Sequence, residues 1–187
     1  MEASKELNLL GKVSDSFEEV KYFKLYIPDR DFKSYINNFA GKYKKEFFSF
    51  DSRLSDNLNR SVQELRAGNS YMVSILEIKR KMKSLEVINY INDRKAIFPG
   101  IYGSMYIWEF NKSELLCGKT RFYFGDKSEE VPQIHKFDTG AYSFNLDHLS
   151  DNLYPGDYIV YLRQYTHYYG SSPWDTGCPW GPHGPQI

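Results

Sequence analysis

IYGSMYIWEFNKSELLCGKTRFYFGD, residues 101–126, is the stretch on which the fold reading turns. Met105, Ile107 and Glu109 alternate with Tyr106, Trp108 and Phe110, and Arg121 and Tyr123 alternate with Phe122 and Phe124. That two-residue period predicts two aromatic strands joined by a polar turn. On this reading the rings form a cross-strand ladder on which later strands register. Tyr106, Trp108 and Phe110 then share one sheet face, turned either to helices or outward to a partner.

Upstream of it, VKYFKLYI (20–27) sets Val20, Tyr22, Lys24 and Tyr26 against Lys21, Phe23, Leu25 and Ile27, and Pro28 closes the run, so a strand is expected. Phe32, Tyr35, Ile36, Phe39, Ala40, Tyr43 and Phe47 recur at spacings of three and four, the pattern of one helical face, with a hairpin as the alternative because of Gly41. Leu54, Leu58, Val62 and Leu65 predict a second helix over 55–67. SYMVSIL reads as a strand up to Ile78, and Ser84 caps a short helix through LEVINYINDR.

Downstream, Glu129, Glu130 and Pro132 mark a loop, while GAYSFNL and GDYIVYLRQY have strand composition, the latter after a Pro155-Gly156 turn. Helices gathered early and strands gathered late predict an α+β domain over 17–169: a mainly antiparallel sheet, strand-rich in the C-terminal half, with two to three helices from the N-terminal half. Strands apolar on both sides imply a sheet covered on both faces, by helices on one and by another sheet or a partner on the other. Residues 1–16 are a polar lead-in. Residues 170–187, GSSPWDTGCPWGPHGPQI, have no helix or strand period and are expected to be an irregular, extended tail.

Composition narrows the function classes. In 187 residues, 24 basic side chains balance 24 acidic ones, so global charge draws the chain neither to nucleic acid nor to an anionic membrane, and this neutrality favours self-association or a protein partner. No apolar run is long enough to cross a bilayer and the first residues lack a signal-peptide pattern, so a cytoplasmic protein is expected, with its two cysteines in a reducing compartment. Aromatic residues make up 17%, which suits a sheet-rich core and an adhesive face.

Candidate chemistry is sparse. Asp138-Thr139-Gly140 resembles the active-site triplet of the aspartic proteases, in which two such loops bring carboxylates together to share a proton and activate water; Asp175-Thr176-Gly177 repeats it. Residues 134–136 are not the continuous apolar strand that should lead into such a loop, and the triplets are closer in sequence than one lobe requires. A hairpin turn with Gly140 at positive φ explains Asp138 as well. Cys178 and His183, with Asp175 or His167, fall short of a metal-ligand set, and no cofactor is expected.

Lys79, Arg80, Lys81 and Lys83 are the best nucleic-acid candidates if Lys42, Lys44 and Lys45 join them on one face. A basic strand end that blocks edge pairing accounts for them equally. The reading that results is a non-catalytic interaction protein, of inhibitor or immunity type, that binds through Tyr106, Trp108 and Phe110 or through Trp174 and Trp180 in the tail. A hydrolase using Asp138 and a nucleic-acid-binding module are the alternatives.

Overall fold

The computed structural model describes residues 15–29, 31–54, 65–125 and 129–165. Its elements are β1 (Phe17–Tyr26), α1 (Phe32–Tyr43), β2 (Phe47–Phe50), β3 (Ser70–Ile78), β4 (Met82–Lys83), α2 (Ser84–Asp93), α3 (Gly100–Asn111), β5 (Gly118–Arg121), β6 (Glu130–Lys136), β7 (Tyr142–His148), β8 (Asn152–Leu153) and β9 (Tyr158–Gln164). Seven strands form one sheet in the order β1-β3-β9-β5-β6-β7-β2, and β4 pairs with β8 apart from it. The α+β class holds. The sheet, however, is mixed: β5 runs parallel to β9 and β2 parallel to β7, whereas the remaining neighbours are antiparallel.

The largest correction falls on residues 101–111. They form helix α3, not a strand, so the rings of Tyr106 and Trp108 are no cross-strand ladder. Every residue from Gly100 to Trp108 is buried, and a segment with no wet side carries no directional signal, since its apolar positions satisfy a period of two as well as one of 3.6. A helix closes its backbone hydrogen bonds within itself, which suits a segment surrounded by side chains.

Small residues fit the first turn of α3 to its own start at Pro99. A Cβ on Gly103 would come 2.5 Å from the Cβ of Pro99 and 3.5 Å from Leu65, and Ser104 silences its own hydroxyl by donating to the Ile101 carbonyl at 2.6 Å. Downstream only Gly118–Arg121 is a strand; Phe122, Tyr123 and Phe124 continue as buried irregular chain.

Two further boundaries differ from expectation. The loop placed around Pro132 is strand β6. The Pro132 carbonyl accepts from Phe122 N at 2.9 Å, so its ring nitrogen also points past the last residue of β5, where the ladder has no donor to lose. The helix expected over 32–47 forms, but it ends at Tyr43 and Phe47 opens β2; Asp31 caps it, accepting from Ser34 N at 3.0 Å and Ser34 Oγ at 2.6 Å. Most of the helix expected over 55–67 lies outside the described residues.

The sheet separates two cores, with helices on both faces. On one side α1 and α3 pack over Leu25, Tyr71, Val73, Ile75, Ile134, Phe144, Val160 and Leu162. On the other, Val87, Tyr90 and Ile91 of α2, with Met82 and Leu153 of the small β4–β8 ribbon, pack over Leu76, Ile78, Ile159 and Tyr161. Consecutive residues of β3 and β9 serve opposite cores, as the strand period requires.

Tyr123 joins the second core and donates its hydroxyl to Ser84 Oγ at 3.0 Å. Burial pushes this phenol up to about 12, against smaller lowering effects from the Ser84 hydrogen bond and the Arg121 charge. A raised folded-state pKa means that Tyr123 contributes stability fully below pH about 10, where the phenol of the unfolded chain titrates, and loses it as pH rises towards 12. Tyr123→Phe is therefore expected to cost about 1 kcal/mol at pH 8, through the lost hydrogen bond. That deficit should shrink at pH 11; urea unfolding at the two pH values checks it, and an equal deficit at both would refute the assignment.

Candidate functional site

Residue alternation in β1 builds a surface that α2 leaves open. Across β1, β3 and β9, Tyr22 lies opposite Ser74 and that opposite Tyr161; Lys24 lies opposite Met72 and that opposite Arg163; Tyr26 lies opposite Ser70. Leu76, facing the same side as these residues, is under α2, whose Tyr90 ring reaches Tyr161 at 6.5 Å and Phe17 at 4.2 Å. Beyond that point the face is bare: Tyr22 is 70% exposed and Tyr26 53%.

A shallow depression of about 410 Å³ lies there, lined by Glu19, Tyr22, Met72, Arg163, Gln164 and Tyr165. Its charges are pinned to its rings and hydroxyls. Arg163 lies over Tyr161 at 5.5 Å, reaches Ser74 Oγ at 3.2 Å and Glu19 at 3.6 Å, and Lys24 sits 4.6 Å from the Tyr165 ring centre. β1 is also an outermost strand, and its pairing with β3 is offset by a bulge between Glu19 and Lys21.

A second concavity, of about 390 Å³, opens between α1 and the end of α3, lined by Asp31, Ser34, Tyr35, Asn38, Phe39, Lys42, Tyr43 and Glu109. Helical spacing puts Tyr35, Phe39 and Tyr43 on one side of α1. Glu109 enters as α3 emerges from the core, its side chain only 9% exposed. It accepts from Tyr35 Oη at 2.6 Å and Tyr43 Oη at 2.7 Å, and Lys42 Nζ lies 3.5 Å away while also standing 4.5 Å above the Tyr43 ring. Tyr43 first, and the Glu109 charge after it, hold the Lys42 ammonium above the ordinary lysine range. Tyr35, Tyr106 and Phe110 stack beside the cleft, the first pair 4.2 Å apart and nearly parallel, the second 6.1 Å apart.

The residues singled out in the sequence are dispersed. Tyr106 and Trp108, expected on a sheet face, are buried in α3, and only Phe110, at the end of the helix, is exposed to 47%. Asp138 is exposed in the β6–β7 hairpin, where Gly140 has φ 82° and Phe137 N donates to the Ala141 carbonyl at 2.9 Å. Lys79 is paired with Glu18 and Glu77, Arg80 with Glu86 and Ser16, and Lys81 lies over Tyr154; Lys83 uses its backbone N–H to bond Glu86 at the start of α2. This group borders the core under α2, whereas Lys42, Lys44 and Lys45 belong to the helix layer on the opposite face. His167, Trp174, Asp175, Cys178, Trp180 and His183 lie outside the described residues.

Sequence reasoning missed Tyr22 and Tyr26, although a signal was present: Lys24 stands between them on one side of a strand whose other side, Phe23, Leu25 and Ile27, is apolar. It missed Glu109 because the alternation reading placed that residue with Met105 and Ile107 on a strand, far from Tyr35 and Tyr43. Among the described residues no group of three His, Cys, Asp or Glu could hold a metal ion, and no helix is long and apolar enough to cross a membrane. No family model, no curated protein and no solved structure matches the chain.

Proposed function

We propose that this is a non-catalytic interaction protein, which binds another protein through the exposed tyrosine face of β1 and the β1 edge that no described strand pairs, the partner supplying an extended strand. The observation that carries this reading is the exposure of Tyr22 and Tyr26, with Lys24 between them, on one face of the outermost strand, over the part of the sheet that α2 leaves uncovered. Tyrosine provides large, amphipathic contact area with few rotatable bonds, and an edge strand provides backbone donors and acceptors that a partner strand can pair. The rings, with Met72 between them in register, form the contact; Lys24 and Arg163 supply its polar rim.

Capture from an extract of the source cells, with the retained proteins identified and the main one purified and rebound, tests the reading. Tyr22→Ser/Tyr26→Ser should weaken rebinding at least ~10-fold, the loss of about 1.4 kcal/mol, because aromatic anchors at the centre of an interface carry more than that. Phe48→Ser, at the opposite edge of the sheet, should leave it unchanged. Equal binding by the double variant, or retention only of further copies of the chain itself, refutes the proposed partner.

A further inference from the structure

We propose that the cleft between α1 and α3 is a seat for an alkylguanidinium or alkylammonium group, with Glu109 as counter-charge and Lys42 as a built-in occupant that the ligand displaces. The site is independent of the β1 face and uses none of its residues. What marks it as a cation seat is the position of the Lys42 head, which already makes both contacts such a ligand would make: 3.5 Å to the Glu109 carboxylate and 4.5 Å over the Tyr43 ring.

Glu109 is held for that role. Its two oxygens are fixed by separate phenols, Tyr35 on Oε2 and Tyr43 on Oε1, and the Tyr35 ring is clamped in turn by its stack on Tyr106. The Glu109 side chain is 9% exposed, so water screens its charge weakly, whereas the Lys42 side chain is 65% exposed. A buried anion fixed by two phenols and facing a solvent-exposed cation is an arrangement in which the cation can be exchanged. Asp31 at the rim adds a second negative charge, and Tyr35, Phe39 and Tyr43 give apolar walls for the methylenes of the incoming chain. A volume of about 390 Å³ accommodates such a group with its alkyl stem.

The chemistry fits an arginine or lysine side chain on a partner protein and a free small cation alike. Titration calorimetry of the full chain with butylguanidinium, butylammonium and the peptide acetyl-Gly-Arg-Gly-amide distinguishes them. Lys42→Met removes the internal occupant but keeps its stem, and should tighten butylguanidinium binding ~10-fold if the lysine fills the seat about nine-tenths of the time. Adding Glu109→Gln, which retains oxygen and nitrogen partners for the two phenols, should abolish it with the melting temperature little changed. Peptide binding ~10-fold tighter than butylguanidinium identifies a protein source for the cation, and equal binding a small-molecule source. Absence of binding to Lys42→Met, or binding that survives Glu109→Gln, overturns the proposal. Because the tyrosines of β1 take no part, this result and that of the capture experiment can fail separately.

Discussion

Trp108→Ala is expected to lower the unfolding free energy by about 3–5 kcal/mol, the range for emptying a large aromatic site in a packed core. Trp108 is 1% exposed and meets rings on several sides: Phe47 at 4.5 Å, Tyr43 at 5.0 Å, Phe39 at 5.6 Å and Tyr142 at 6.0 Å, with Lys112 Nζ 4.7 Å above it. Those neighbours come from α1, β2 and β7, so the void would open where three elements meet, and none can collapse into it without leaving its own contacts. Trp108→Phe should behave differently. The indole N–H is buried with no acceptor among the described residues, an arrangement that itself costs about 1–3 kcal/mol, so removing it offsets much of the lost volume. A deficit below about 1.5 kcal/mol is expected for phenylalanine. Urea denaturation of both variants checks the pair of values; an alanine variant within about 1 kcal/mol of wild type would show that the site relaxes and that α3 is not the centre of the core.

The second large effect is expected at Arg121. Its side chain is 5% exposed, bonds Asp147 through Nε at 3.2 Å and Asp157 through Nη1 at 2.8 Å, and so ties the end of β5 to β7 and to the turn before β9. Burial works against the charged guanidinium, but the two carboxylates outweigh it and the pKa is raised, so the arginine stays charged in place. Arg121→Met would leave two partly buried carboxylates facing each other without a counter-charge, and a loss of about 3 kcal/mol is expected at neutral pH. Arg121→Met/Asp147→Asn/Asp157→Asn should recover much of it, since the penalty lies in the stranded charges and not in the absence of an ion pair. A triple variant as unstable as the single one would assign the loss to packing. Asp157 limits the recovery, because it also accepts from Tyr154 N at 3.0 Å and holds that turn.

How much of this was legible in the residues depends on whether an element has a wet side. β1 was legible because Lys24 alternates with Leu25, and α1 because its apolar positions recur at helical spacing between lysines. The helix caps were not read: Ser84, expected to cap α2, is its first residue, the cap being Lys83 with its N–H bonded to Glu86, and Asp31 caps α1 by accepting from Ser34 N. α3 was not legible: from Gly100 to Trp108 there is no exposed position to give a period, since even Ser104 is buried, and the surrounding sheet decides the conformation. Pro132 misled in a comparable way, since whether proline is tolerated in a strand depends on where the neighbouring strand stops, which is a tertiary fact. The cleft could not be read at all. Tyr35 and Tyr43 are 74 and 66 residues from Glu109, and only the packing of α1 on α3 joins them.

The strand order carries a consequence for biosynthesis. β9 lies between β3 and β5, so an interior strand of the sheet is the last of the seven to leave the ribosome. Until Tyr158–Gln164 has emerged, β1 with β3 and β5 with β6, β7 and β2 are two separate fragments, each showing an unsealed border. Closure therefore follows translation of the whole domain, and the half-made chain depends on the speed of that final step to avoid pairing with its neighbours on the same messenger.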